Sequence, residues 1–468
     1  MSRAELVKPL RYGPFRLLLG AQLVSGIGDW LDYLALAVLV AYRWRMGPGA
    51  LAAVAVTIAL PWVILGPVAG VWADRLAPNR TMIACDLARA ACVLCYLPLT
   101  GRSWLPVLLI LLFIKTTFGA LFGPAQQVAV RQAVPEGVLL PAVSLTTFVS
   151  QLSKVAGPAA GGLVVSVAGV RGAFTADAAT FAASALLLAG MAAGRAVGPQ
   201  QAHPPRRAAC PGAASPGAAS RGAASPEPSR GSFRHDLGEG VAWIIRDPSL
   251  RVAVGGMAAT VFCVLTFDAL APLALRGLGL DMSMLGMAFA AVGAGAVGGA
   301  LLVGQWARGI DGLWLMGAAQ VLAGLLVAAI GVGVLGVIRT AAIAWLPVGL
   351  GLGVASAAIV VIHACLVQRQ APAAMVGRVT ATAGAVTVAL QLAAPPIGAA
   401  LAAWHGVGFV FASAGAALAG LGALVVAGRR SWRPSPVGAA ATRLANDSSL
   451  PRTAGIRPGA HKKGTVHG

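Results

Sequence analysis

Five stretches of this chain, residues 46–73, 282–307, 312–338, 340–368 and 379–426, contain no Asp, Glu, Lys or Arg. The hydrocarbon core of a bilayer needs roughly 20 apolar residues per helical crossing. The first four stretches therefore hold one crossing each, and the last holds two. A charge at the membrane centre costs about 2.5–3.5 kcal/mol or more, so charge-free runs recurring along the chain predict many crossings. The same reading places spans at 15–41, 48–73, 80–100, 104–125, 141–168, 174–194, 249–274, 282–305, 312–336, 341–364, 378–402 and 405–427. The predicted fold class is an all-α membrane protein with twelve transmembrane helices.

Composition agrees with this reading. Hydrophobic residues make up 58% and charged residues 11%, with a mean hydropathy of +0.80, whereas a soluble domain carries about 25% charged residues. The 60 glycines suit membrane helices, where small residues let backbones approach closely. The six cysteines, Cys85, Cys92, Cys95, Cys210, Cys263 and Cys365, give neither a disulfide framework nor metal-ligand spacing. The apolar stretch after Phe15 is too long for a signal-peptide core and reads as the first span.

A net charge of +20 would suggest nucleic acid in a soluble protein. Its distribution argues instead for topology. With the N-terminus inside, one set of loops holds 26 of the 35 Lys and Arg, the opposite set holds six (Arg43, Arg45, Arg102, Arg171, Arg276 and Arg339), and three lie within spans (Arg89, Lys115 and Lys154). This asymmetry predicts a multi-pass protein of the cell membrane with both termini in the cytoplasm. The basic excess then has anionic lipid headgroups as its partner and no nucleic acid.

The chain divides near its middle. Residues 195–232 hold the near-repeats PGAAS, PGAAS and RGAAS at 211–225, a composition that cannot bury an apolar face and predicts a disordered cytoplasmic linker. Residues 1–194 then form an N-terminal bundle. Residues 233–428 form an interfacial amphipathic helix, with Leu237, Val241, Ile244 and Ile245 on one face, followed by a second bundle. Residues 429–468 predict a disordered tail. The halves also echo each other: Gly157-Pro158-Ala159-Ala160-Gly161-Gly162 aligns on Ala394-Pro395-Pro396-Ile397-Gly398-Ala399, and Arg131-Gln132-Ala133 answers Arg369-Gln370-Ala371.

Several motifs narrow this plan. Gly70-Val71-Trp72-Ala73-Asp74-Arg75, closing the second span and followed by Arg80, resembles the cytoplasmic signature of the major facilitator transporters, although Ala77 stands where that signature has glycine. Gly157-Pro158-x-x-Gly161-Gly162 in span five resembles the signature associated with antiporters of that family. Gln368-Arg369-Gln370-Ala371-Pro372, Gly377-Arg378-Val379 and Ala176-Asp177-Ala178-Ala179-Thr180-Phe181 look like the branch holding macrolide-efflux-like, siderophore-exporter-like and lysophospholipid-transporter-like proteins. The resemblance implies two pseudo-symmetric six-helix bundles. It also implies conformational roles for Gly70, Asp74, Arg75, Arg80, Gly157, Pro158, Gly161, Gly162, Gly377 and Arg378.

The polar residues inside the spans are the candidates for chemistry. Gln22, Ser25, Asp29 and Asp32 step by three, four and three, so they share one helical stripe, as do Ser144, Thr147, Gln151 and Lys154. Both stripes should face the bundle interior, because a charge turned toward lipid would be unpaired. Lys115 in span four stands where related antiporters carry an arginine. Asp268 lies near the outer end of span seven, and Gln391 matches Lys154 in the second half. The predicted proton or substrate pathway is therefore Asp29, Asp32, Lys115, Gln151, Lys154, Asp268 and Gln391. Asp86 and Arg89, three apart, read as a structural pair beside the cytoplasmic gate.

No nucleotide-binding Gly-x-x-x-x-Gly-Lys-Ser/Thr string or catalytic constellation occurs. The sequence thus predicts no enzyme and no cofactor. It predicts a monomeric secondary transporter, driven by a proton gradient, that exports a small amphipathic molecule such as a drug, antibiotic, siderophore or related metabolite. The alternatives are a lipid or solute transporter of the same fold, or a membrane scaffold or sensor that no longer transports.

Overall fold

A computed structural model describes residues 7–197, 248–280, 282–306, 311–337, 341–370 and 376–428. The helices are α1 (Gly13–Val38), α2 (Pro48–Arg75), α3 (Pro78–Leu94), α4 (Leu105–Ala133), α5 (Leu139–Val197) and α6 (Pro248–Asp268). They continue as α7 (Ala271–Gly277), α8 (Met282–Trp306), α9 (Gly312–Val334), α10 (Trp345–Gln370), α11 (Val376–His405) and α12 (Val407–Gly428). Among the described residues, eight helices are long and apolar enough to cross a membrane, and a ninth crossing results if α6 and α7 count as one. The predicted linker, interfacial helix and tail fall outside the described residues, except that α5 continues through Val197, past the linker boundary expected at 195.

Helix ends follow local chemistry. Proline occupies the first turn of α1, α3 and α4, where its missing N–H costs nothing. Asp311 caps α9 by accepting a hydrogen bond from the Leu313 N–H at 3.0 Å. Two expected spans, 141–168 and 174–194, are the two arms of α5, helices separated by a kink. They join at Gly169, whose φ of +68° glycine adopts without the Cβ clash other residues meet. The expected span 249–274 is not straight, because α6 and α7 meet at a 54° bend.

Packing is most extensive between α1 and α5, α9 and α12, and α8 and α10. The segments before and after residues 198–247 meet where α5 packs on α8 and α2 on α11. Adjacent glycines on α5 serve both kinds of contact. A Cβ on Gly157 or Gly161 would run into Trp30, Ile27 or Leu31 of α1, whereas one on Gly162 would run into the backbone of Gly286 on α8. Neighbouring residues on a helix point about 100° apart, so one short motif seats α5 on α1 and on α8 at once.

Candidate functional site

Six charged side chains meet inside the N-terminal helices. Lys115 of α4 is buried, and its Nζ lies 2.5 Å from Asp32 Oδ2, 3.4 Å from Asp29 Oδ1 and 3.4 Å from Asp177 Oδ2. Arg89 of α3 donates from Nη1 to Asp29 Oδ2 at 3.1 Å and pairs through Nη2 with Asp86. Ser184 of α5 donates to the other Asp86 oxygen at 2.6 Å. Asp29 thus bridges the two cations. Its side chain is 42% exposed, while those of Asp32, Asp86 and Asp177 are buried.

Local sequence explains how these groups converge. Asp29 and Asp32 share a face of α1, as Asp86 and Arg89 do on α3. Asp177, Phe181 and Ser184 recur on one face of the second arm of α5. Gly28 lets α1 approach that arm, because a Cβ there would strike Thr180 and Asp177. Aromatic faces cover the cations: Arg89 lies 4.3 Å from the Phe181 centroid and 4.9 Å from that of Phe122, and Lys115 lies 5.2 Å from Phe181.

The cluster holds four carboxylates, Asp29, Asp32, Asp86 and Asp177, against two cations, Arg89 and Lys115. In a low-dielectric interior such an excess of like charge is costly. Two protons, or a cationic partner, would balance it. The buried Asp32 Oδ1 and Arg89 Nε have no hydrogen-bond partner, so the group retains acceptor and donor capacity.

Asp29, Asp32 and Lys115 come together, and of the stripe on α1, Ser25 is buried and Gln22 donates to the Thr146 carbonyl at 3.0 Å. One expectation is corrected. Asp86 and Arg89 are a pair, but Arg89 reaches Asp29 and so belongs to the central cluster rather than to a separate gate. Asp268 stands apart, accepting a hydrogen bond from the Tyr33 hydroxyl at 3.4 Å across to α1. Gln391 is half-buried in α11 and Arg80 is exposed at the start of α3. On the second stripe Ser144 is half-buried and Thr147 exposed. The side chains of Gln151, Lys154, Pro158, Asp74, Arg75 and Arg378, with the surroundings of Gly70 and Gly377, fall outside the described residues.

Sequence reasoning missed the roles of Asp177 and Ser184. The signal existed: Asp177, Phe181 and Ser184 step by four and three inside a span, where a carboxylate needs a reason to be buried.

Residues 4–207 match a family described as "transmembrane secretion effector". An uncharacterized MFS-type transporter of Bacillus subtilis (strain 168), YfiS, is 32% identical over 171 residues, which span 36% of this chain and 40% of that protein. Among solved structures, a POT family transporter in complex with 5-aminolevulinic acid superposes with a TM-score of 0.63 at 13% identity, covering 90% of this chain and 96% of the other. A bacterial homologue of the iron transporter ferroportin in an inward-facing state gives a TM-score of 0.61 at 14% identity, covering 91% of this chain and all of the other (100%). The chain is a multi-pass helical membrane protein with the fold of these transporters, and its N-terminal part is related to MFS-type proteins.

Proposed function

We propose that this chain is a secondary active transporter of the major facilitator type, with twelve spans in two six-helix bundles, that exports a small amphipathic molecule in exchange for protons. The observation that carries this reading is the cluster of two buried cations and four carboxylates, among which Asp29 alone keeps a half-exposed edge. A merely structural ion network needs balanced charge and no exposed member. A cluster short of two positive charges can take up protons, and the exposed edge of Asp29 is where they or a substrate would exchange.

Arg89 and Lys115 supply the coupling. Protonation of Asp29 weakens its hold on both cations, and each then turns to its remaining carboxylates, Asp86 or Asp32 and Asp177. Since these groups sit on α1, α3, α4 and α5, their rearrangement alters how the N-terminal helices pack. The glycine pair Gly162 and Gly286 passes that change to α8. The Asp74 and Arg75 motif, with Gly377 and Arg378, serves the cytoplasmic gate in this reading. Both termini then face the cytoplasm, and the ends of α1, α3 and α7 face outward.

Tolerance of an efflux-deficient host to ethidium and erythromycin, with and without expression of the chain, tests export. The compound that responds is then followed in pyranine-loaded proteoliposomes. Wild-type protein should move protons as it concentrates the compound, and Asp29→Asn should bind it without concentrating it. Uphill transport by Asp29→Asn would remove the proton role of the cluster.

A further inference from the structure

We propose that the outer rim of the N-terminal helices is a phospholipid-binding site, in which Arg43 and Arg171 hold the phosphate of one lipid headgroup. Arg43 follows the end of α1 and Arg171 opens the second arm of α5. Both line one shallow cleft, together with Thr100, Tyr96, Leu39 and Phe174. Both arginines are exposed, and neither has an ion pair or a hydrogen bond among the described residues. No carboxylate lines the cleft. The rim connections 44–47, 95–104 and 169–172 contain no Asp or Glu at all.

The charge pattern makes this cleft unusual for its side of the membrane. Lys and Arg are depleted in outer loops, yet Arg43, Arg45, Arg102 and Arg171, four of the six assigned to that side, stand on this one rim. A fifth, Arg276, is already engaged, donating to the Ala41 carbonyl at 2.9 Å. Two free guanidinium groups facing one cleft form a fork that matches the oxygens of a phosphate, and the Thr100 hydroxyl offers a further donor.

What lies on the membrane side of the cleft favours a lipid over a free anion. On the first arm of α5, just before the Gly169 break, Val167 and Leu163 are one turn apart and 81% and 66% exposed. On α3, Leu94 and Leu87 are two turns apart and also exposed. These exposed apolar positions belong to helical segments that end beside the cleft, so acyl chains can lie along them while the phosphate sits between the arginines. Leu39 and Phe174, which also line the cleft, are buried, so the phosphate would rest at its mouth, between the two exposed arginines.

Native mass spectrometry of the detergent-purified full chain, titrated with phosphatidylglycerol, tests the site. Wild-type protein should retain one phosphatidylglycerol at least about tenfold more tightly than Arg43→Ala/Arg171→Ala. Arg45→Ala/Arg102→Ala, which removes two charges from the same rim outside the cleft, should bind as wild type does. A matched melting curve for each variant separates lost binding from lost folding. Equal retention by wild type and Arg43→Ala/Arg171→Ala would overturn the proposal. So would displacement of the lipid by millimolar inorganic phosphate, together with phosphate binding that depends on the same arginines, because the site would then take a free anion.

Discussion

The helices before residue 198 and those after residue 247 are held together by different physics. In the first group the buried polar residues are Ser25, Asp32, Asp86, Arg89, Lys115, Ser153, Asp177 and Ser184, and the charged ones among them join α1, α3, α4 and α5. In the second group, among the described residues, they are only Thr260, Thr266 and Gln320. There the helices close through glycine. A Cβ on Gly317, Gly324 or Gly331 of α9 would meet the backbone of α12, and one on Gly295 or Gly299 of α8 would meet the backbone of α10. Backbone contact of this kind is governed by dispersion and does not respond to protonation. An ion cluster does respond. The difference teaches that, among the described residues, buried charge is confined to the first group while backbone-to-backbone glycine contacts close the second.

Removing a cation should give the largest effect. Lys115→Met leaves Asp32 and Asp177 buried without their partner, which should cost about 3–5 kcal/mol and appear as a large drop in melting temperature in detergent. Lys115→Met/Asp32→Asn should recover part of the loss. If Lys115→Met melts as wild type does, the charges are not what holds α1, α4 and α5, and the contrast between the halves fails.

Overpacking the glycine seam should come next. Gly324→Val places methyl groups against the backbone of Gly415 and Ala419, at a cost of about 1–3 kcal/mol. Its effect should be the same at pH 5 and pH 8, whereas that of Lys115→Met should change with pH. A pH-dependent penalty for Gly324→Val would blur the distinction.

A smaller effect is expected at the one buried side-chain pair described between α6 and α9. Gln320 donates to the Thr260 hydroxyl at 2.7 Å, and that hydroxyl donates to the Gly256 carbonyl at 2.8 Å. Gln320→Leu loses one hydrogen bond but leaves the Thr260 donor satisfied, so about 1 kcal/mol or less should be lost. A much larger loss would mean that this half also depends on a polar network. The smallest change should come from Tyr33→Phe, which removes the long 3.4 Å bond to Asp268. Its stability should move by no more than about 0.5 kcal/mol. The Tyr42 hydroxyl, beyond the end of α1, donates to the Leu280 carbonyl, beyond the end of α7, at 3.3 Å. A shift in the accessibility of single cysteines near these two residues, without loss of stability, would show that the Tyr33 bond biases this contact.

The charge-free runs determined by themselves that this chain crosses a membrane many times, because no other environment tolerates such lengths of apolar helix. Helical periodicity likewise put Asp29 and Asp32 on one face, since 3.6 residues per turn fixes which neighbours align. Tertiary structure decided the partners. Lys115 is 83 residues from Asp32 and 62 from Asp177, and Arg89 is 60 from Asp29. A sequence shows that each buried charge needs a counter-charge but carries no distance between helices. That is why Asp86 and Arg89 read as a separate local pair until Arg89 was seen to reach Asp29 between two helices, α1 and α3, that both pack on α5. The bend between α6 and α7 was also decided in three dimensions, because an apolar run records the thickness it must cross and not the angle at which it crosses.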